Sequence, residues 1–176
     1  MQKNTTLKNA MTYGIYGGIG LIVLFIIVYL INPLSGSPLF LFLNMFIIGM
    51  ASILGVQYCR DKINNGFISY GSSLKNGVLI GVFVGAIFGV FSFIFYKFID
   101  PLLYEKVLTI TKEGLMKNNP KITDEQLSLV IKTVSSPFGI VLASVIDIAI
   151  RSFFIMSVVS FFIKRKNASL DHILNQ

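Results

Sequence analysis

The chain has 176 residues, of which 54% are hydrophobic and only 13% charged, with a mean hydropathy of +0.75. A soluble domain carries about 25% charged residues, so this composition excludes an ordinary water-soluble globule and points to a single domain solvated largely by lipid. The net charge of +7 is spread over short segments between apolar stretches; with no basic stripe interleaved with aromatics, it argues against nucleic acid and for orientation in a bilayer and contact with anionic lipid headgroups.

One cysteine, Cys59, and one histidine, His172, exclude an intrachain disulfide and a thiolate or imidazole metal cage. No metal or cofactor is expected. Cys59, at the end of an apolar run, reads as a small buried hydrophobe, with acylation the alternative.

The expected fold class is all-α: a polytopic membrane protein with four transmembrane helices and a short extramembrane amphipathic helical hairpin between spans 3 and 4. The first span covers about residues 13–31, and about 19 residues reach roughly 28 Å, close to the hydrocarbon thickness. Lys3 and Lys8 precede it. Its apolar stretch exceeds the roughly 7–15 residues of a signal-peptide core, which favours an uncleaved helix. The Pro/Gly/Ser-rich segment 32–38 is a short turn, so the second span, about residues 39–58, packs antiparallel to the first. Asn44 inside it is expected to bond a neighbouring helix or a backbone carbonyl.

The third span covers about residues 77–99, and its end is crowded with Phe91, Phe93, Phe95, Tyr96 and Phe98. Tyr96 and Lys97 suit the headgroup boundary, one by its amphipathic ring and the other by snorkelling. Asp100 and Pro101 then read as N-cap and first-turn proline of a new helix.

The extramembrane segment, about residues 100–136, places Leu103, Val107 and Ile110 on one helical face. Asn118, Asn119 and Pro120 break that helix. Thr123 to Gln126 forms a capping-box pattern, followed by Leu127, Val130, Ile131 and Val134 at helical spacing. The two amphipathic helices are expected to rest on the bundle end or the membrane surface, with a docking site for a partner as the sharper reading. The fourth span, about residues 138–163, stops at Lys164, Arg165 and Lys166. With the N-terminus inside, the inner segments carry Lys3, Lys8, Arg60, Lys62, Lys75 and this basic stop; the first outer loop carries no basic residue, and the second carries Lys97, Lys106, Lys112, Lys117, Lys121 and Lys132 among five acidic residues. Both termini are therefore expected in the cytoplasm.

Two patterns inside the spans carry more than hydropathy. Gly77, Gly81, Gly85 and Gly89 recur every four residues and form a groove in which another helix backbone can approach closely, in this chain or in a second copy. Gly139, Ala143, Asp147 and Arg151 extend the same spacing along the fourth span, two small residues followed by opposite charges near its middle. Each charge alone costs roughly 2.5–3.5 kcal/mol at a helix centre on insertion scales. Asp followed by Arg at i+4 allows mutual compensation. The pair is either a neutralised packing element, with Asn44 or backbone carbonyls as further partners, or a proton or ion relay or buried switch.

The run Tyr58, Cys59, Arg60, Asp61, then Gly66 to Gly71 including Tyr70, then Leu74, Lys75 and Gly77, resembles the central signature of a bacterial membrane-protein family of unknown function, domain-of-unknown-function family 4199. Ile99, Asp100 and Pro101 and the basic ending match its layout. The resemblance implies a small four-span protein of the bacterial inner membrane and carries over no catalytic residue. The Asp147–Arg151 pair lies outside that signature. Read physically, Arg60 sits where it can contact headgroup phosphates, Gly66 and Gly71 permit turns, and Phe67, Ile68 and Tyr70 can dip back towards the bilayer as an interfacial element.

No nucleophile elbow, zinc-protease, nucleotide-loop or dinucleotide motif is present. The expected function is a non-enzymatic accessory, structural or assembly role, with the lipid bilayer and a second copy or another membrane protein as partners. The alternative is a transporter or channel component using Asp147 and Arg151.

Overall fold

The computed structural model describes residues 2–32, 37–119 and 122–165. Four of its six α-helices are long and apolar enough to cross a bilayer, over Thr5–Ile31, Pro38–Ile63, Tyr70–Ile99 and Pro137–Ile163. The chain is thus a multi-pass membrane protein. The helices are α1 (Gln2–Ile31), α2 (Pro38–Tyr58), α3 (Tyr70–Ile94), α4 (Pro101–Asn118), α5 (Asp124–Ser135) and α6 (Pro137–Ile163). Both α2 and α3 widen into a final π-helical turn, Cys59–Ile63 and Phe95–Ile99. Among the described residues there is no strand, only one isolated bridge between Ile68 and Arg165. Pro120, Lys166 and His172 lie outside the described residues.

Two helices extend beyond their apolar stretches. Helix α1 runs back to Gln2 because its polar first turns find partners: Asn9, nearly buried, donates its Nδ2 to the Gly55 carbonyl at 2.8 Å. Helix α3 begins at Tyr70, where Ser69 is the N-cap and accepts from Ser72 N at 3.2 Å.

Helix α3 is the axis of the bundle. It packs against α1, α2 and α6, while α2 touches all three other spans and α1 and α6 lie apart. Leu21, Ile48, Val56, Ile80, Val84 and Met156 form the fully buried centre. Leu30, Phe42, Phe154 and Phe162 point outward and are 76%, 66%, 65% and 82% exposed in the chain alone. In water such a surface would be a liability; against acyl chains it costs nothing, which is why hydropathy rather than an amphipathic period marks these helices.

At one end, here the hairpin end, Phe25 of α1 meets Phe95 edge-on at 4.9 Å and Phe91 at 5.6 Å, fastening α1 to α3. Helix α4 starts from Asp100, whose carboxylate accepts from Leu103 N at 2.8 Å, with Pro101 in the first turn. Thr123 and Gln126 form the reciprocal capping box of α5. Leu103 of α4 and Leu127 of α5 are buried, while Ile110, Val130 and Val134 on the expected apolar faces stay exposed. At the α5–α6 junction Ser136 Oγ donates to the Thr133 carbonyl and accepts from Gly139 N, at 2.8 and 2.9 Å. The opposite end of the bundle, here the basic end, carries Arg60, Lys62, Lys164 and Arg165.

Candidate functional site

The glycines of α3 set how closely its neighbour comes. A Cβ added at Gly85 would lie 2.7 Å from Val145 Cα, and one at Gly89 3.0 Å from Val141 Cα. At Gly81 it would meet Ser152 Cβ at 2.5 Å, and at Gly77 the flexible side chain of Met156. The neighbour is therefore α6 of the same chain, running antiparallel. Near the basic end, Ser73 Oγ donates to Ser160 Oγ at 2.9 Å, both side chains fully buried.

The face of α6 in this seam is Ser144, Ile148, Ser152, Met156 and Ser160, one position round the helix from the face that starts at Gly139. Gly139 and Ala143 accordingly do not continue the seam. Gly139 packs on the Thr133 carbonyl at the α5–α6 junction, and Ala143 is exposed. The seam also holds a polar knot: Ser152 Oγ donates to the Gly77 carbonyl at 2.8 Å and lies 3.0 Å from Ser52 Oγ of α2. Serines recur every eight residues along α6 at 144, 152 and 160, a period legible in the sequence. A second small-residue set, Gly14, Gly17 and Gly18 of α1, faces Phe83, Val84 and Ile87 of α3.

Being one position off the seam puts Asp147 and Arg151 on the wall of a cavity. Arg151 Nε donates to Asp147 Oδ1 at 3.0 Å, and its Nη1 donates to Asn44 Oδ1 of α2 at 3.4 Å. The side chains remain 55% and 32% exposed. The cavity, about 290 Å³ and half-open, is lined by Phe25 of α1, Leu41 and Asn44 of α2, Phe88 of α3, and Ser144, Asp147 and Arg151 of α6, among others. Its polar groups thus come from α2 and α6, while all four spans contribute to its apolar wall. Towards the basic end the bundle is closed: Ile48, Ile80, Val84 and Met156 are fully buried, and the Ser52–Ser152–Gly77 knot lies beside them.

The residues of the family-like motif meet at the basic end. Arg60 makes a bidentate pair with Asp61, Nε to Oδ1 at 2.6 Å and Nη2 to Oδ2 at 2.9 Å, and its Nη1 donates to the Ile163 carbonyl at 3.3 Å. With a side chain only 12% exposed, Arg60 closes the end of α6. Gly66 has φ +88° and makes the turn after Asn65, at φ 52°. Gly71, by contrast, is helical, in the first turn of α3. Ile68 exchanges two backbone hydrogen bonds with Arg165, at 3.1 and 3.0 Å, and Tyr70 Oη donates to the Ser157 carbonyl at 3.1 Å. The motif is a clasp from the α2–α3 connection onto α6. Tyr58 stands beside Tyr13 of α1, rings 6.0 Å apart. Cys59 is fully buried and accepts from Asn76 Nδ2 at 3.4 Å, which leaves no accessible thiol. Asp100 and Pro101 sit apart, at the hairpin end.

Among the described residues no group of three His, Cys, Asp or Glu side chains is placed to hold a metal ion. Neither the curated proteins nor the solved structures yield a match. Residues 12–165 match the family model described as protein of unknown function (DUF4199), and with most of its length inside that match, including the clasp, the glycine seam and the charged cavity, the chain belongs to this family.

Proposed function

We propose that the protein is a non-enzymatic component of a bacterial cytoplasmic membrane, with both termini in the cytoplasm, and that it serves as an accessory or assembly factor by binding. The binding place is the Asp147–Arg151 cavity, and the group it receives is small and carries both charges or strong polarity. The observation behind this reading is the placement of the pair on a cavity wall instead of in the seam. An ion pair that only fixed helix packing would be enclosed, with its donors and acceptors filled. Here Asp147 makes a single side-chain bond and more than half of its side chain stays open. A cavity walled by Phe25, Leu41 and Phe88 raises the strength of any charge-assisted contact made inside it.

A transport or channel role would use the same residues, and one feature favours it: charged groups at this depth commonly mark pathways. Conduction would require the Ser52–Ser152–Gly77 knot and the packed residues beside it to part. A flux assay in liposomes, for protons and for monovalent ions, separates the readings. Binding without transport expects no flux from wild type. It also expects phosphoethanolamine, a small soluble zwitterion, to raise the Tm of wild type in detergent and not that of Asp147→Asn. Flux by wild type that Asp147→Asn abolishes would replace the accessory reading with transport. A charge-swapped Asp147→Arg, Arg151→Asp variant that folds and keeps every property of wild type would return the pair to a packing role.

A further inference from the structure

A second cavity, of about 280 Å³, lies at the hairpin end between the last turn of α3, the start of α6 and the base of the two short helices. Two residues on its wall, Tyr104 and Ser135, carry hydroxyls that are shut off from solvent and have no hydrogen-bond partner among the described residues. Buried hydroxyls are nearly always paired, because desolvating one without a partner is costly. Two beside one cavity point to a group that reaches them once the side chains covering them turn aside. Neither is frozen out by a competing local bond: it is the next residue, Ser136, that caps α6 and bonds Thr133.

The rest of the wall says what kind of group. Among the described residues Lys97 is the only charged one on it, and its ammonium lies 5.8 Å from the Phe93 ring centroid. Tyr96 stacks on Tyr104 at 5.1 Å, holding the phenol in place, and Ile140 adds apolar surface from α6. One cation and two hydroxyl donors over an apolar wall suit an anionic oxygen cluster on an apolar body. The cavity stands at the ends of two apolar spans, and Ile94 and Phe98, the chain neighbours of its Phe93 and Lys97, are exposed. We propose that it binds the phosphate of an anionic phospholipid, with Lys97 supplying the charge and Tyr104 and Ser135 donating to the phosphate oxygens. The hairpin is then docked partly through lipid.

The test uses the full chain in detergent, with phosphatidylglycerol as probe, diacylglycerol as the uncharged control and inorganic phosphate as the lipid-free control. Retention is read by native mass spectrometry and Tm by thermal unfolding. Tyr104→Phe and Ser135→Ala each remove only a hydroxyl, so both variants are expected to unfold at or above the wild-type Tm when delipidated. Each should lower phosphatidylglycerol retention about tenfold, the effect of losing one hydrogen bond to a charged group, and Lys97→Gln should make the remainder independent of salt. Equal retention by wild type and the Tyr104→Phe, Ser135→Ala double variant overturns the proposal. So does a Tm increase from inorganic phosphate alone to which phosphatidylglycerol adds nothing, which would assign the cavity to free phosphate.

Discussion

Tyr29, near the end of α1, donates its hydroxyl to Asp100 Oδ2 at 3.0 Å, while Asp100 Oδ1 accepts from Leu103 N at 2.8 Å. One carboxylate therefore caps α4 and ties that cap to a span 71 residues away in the chain. Replacing Asp100 with Ala should cost about 0.5–2 kcal/mol through loss of the cap. Tyr29→Phe should cost less, because the cap survives. In a double-mutant cycle on thermal unfolding in detergent, Tyr29→Phe should have no further effect once Asp100 is Ala; full additivity would show that the two residues act separately.

The glycines of α3 are not interchangeable. Gly85→Ala drives a methyl group into the backbone of Val145, which cannot yield without moving α6, whereas Gly77→Ala meets a Met156 side chain that can turn aside. Overpacking of this kind costs about 1–3 kcal/mol, and that range is expected for Gly85→Ala. Gly77→Ala should fall below it. Unfolding of both variants in the same detergent gives the order directly, and a reversed order would contradict the seam.

The Ser52–Ser152 contact tests how much a polar knot contributes inside a bundle. Interhelical hydrogen bonds in membrane proteins average about 0.6 kcal/mol, because the unfolded chain in the membrane also finds partners. A cycle of Ser52→Ala and Ser152→Ala should give a coupling near that value. Ser152→Ala alone should cost more than Ser52→Ala, since Ser152 makes the shorter bond to the Gly77 carbonyl, 2.8 against 3.4 Å.

At the basic end the pair Arg60–Asp61 is asymmetric. Arg60 alone also reaches the Ile163 carbonyl of α6, so Arg60→Ala should loosen the clasp and raise amide exchange at Ile68 and Arg165, whose backbones form the bridge. Asp61→Ala should leave that exchange nearly unchanged. Arg60→Lys should resemble Arg60→Ala, because an ammonium cannot hold the carboxylate bidentately and still bond the carbonyl. Rescue by lysine would show that charge alone maintains the clasp.

Sequence by itself determined the four spans, the two short helices α4 and α5 and their caps, because these follow from local rules: apolar length against bilayer thickness, Asp100 before Pro101, Thr123 three residues before Gln126. It also marked Gly77, Gly81, Gly85 and Gly89 as a face and Asp147 with Arg151 as a pair, since both are repeats along one helix. Which helix meets that face, and where the pair looks, depended on rotation about the helix axis. In lipid, burial against protein and exposure to acyl chains use the same apolar residues, so hydropathy leaves that rotation open. Only the packed bundle turned Ser144, Ser152 and Ser160 into the seam, left Ala143 outside it, set Asp147 and Arg151 on a cavity wall with Asn44, and brought Arg60 onto the end of α6. Each depends on contacts between residues far apart in the chain, which no local pattern encodes.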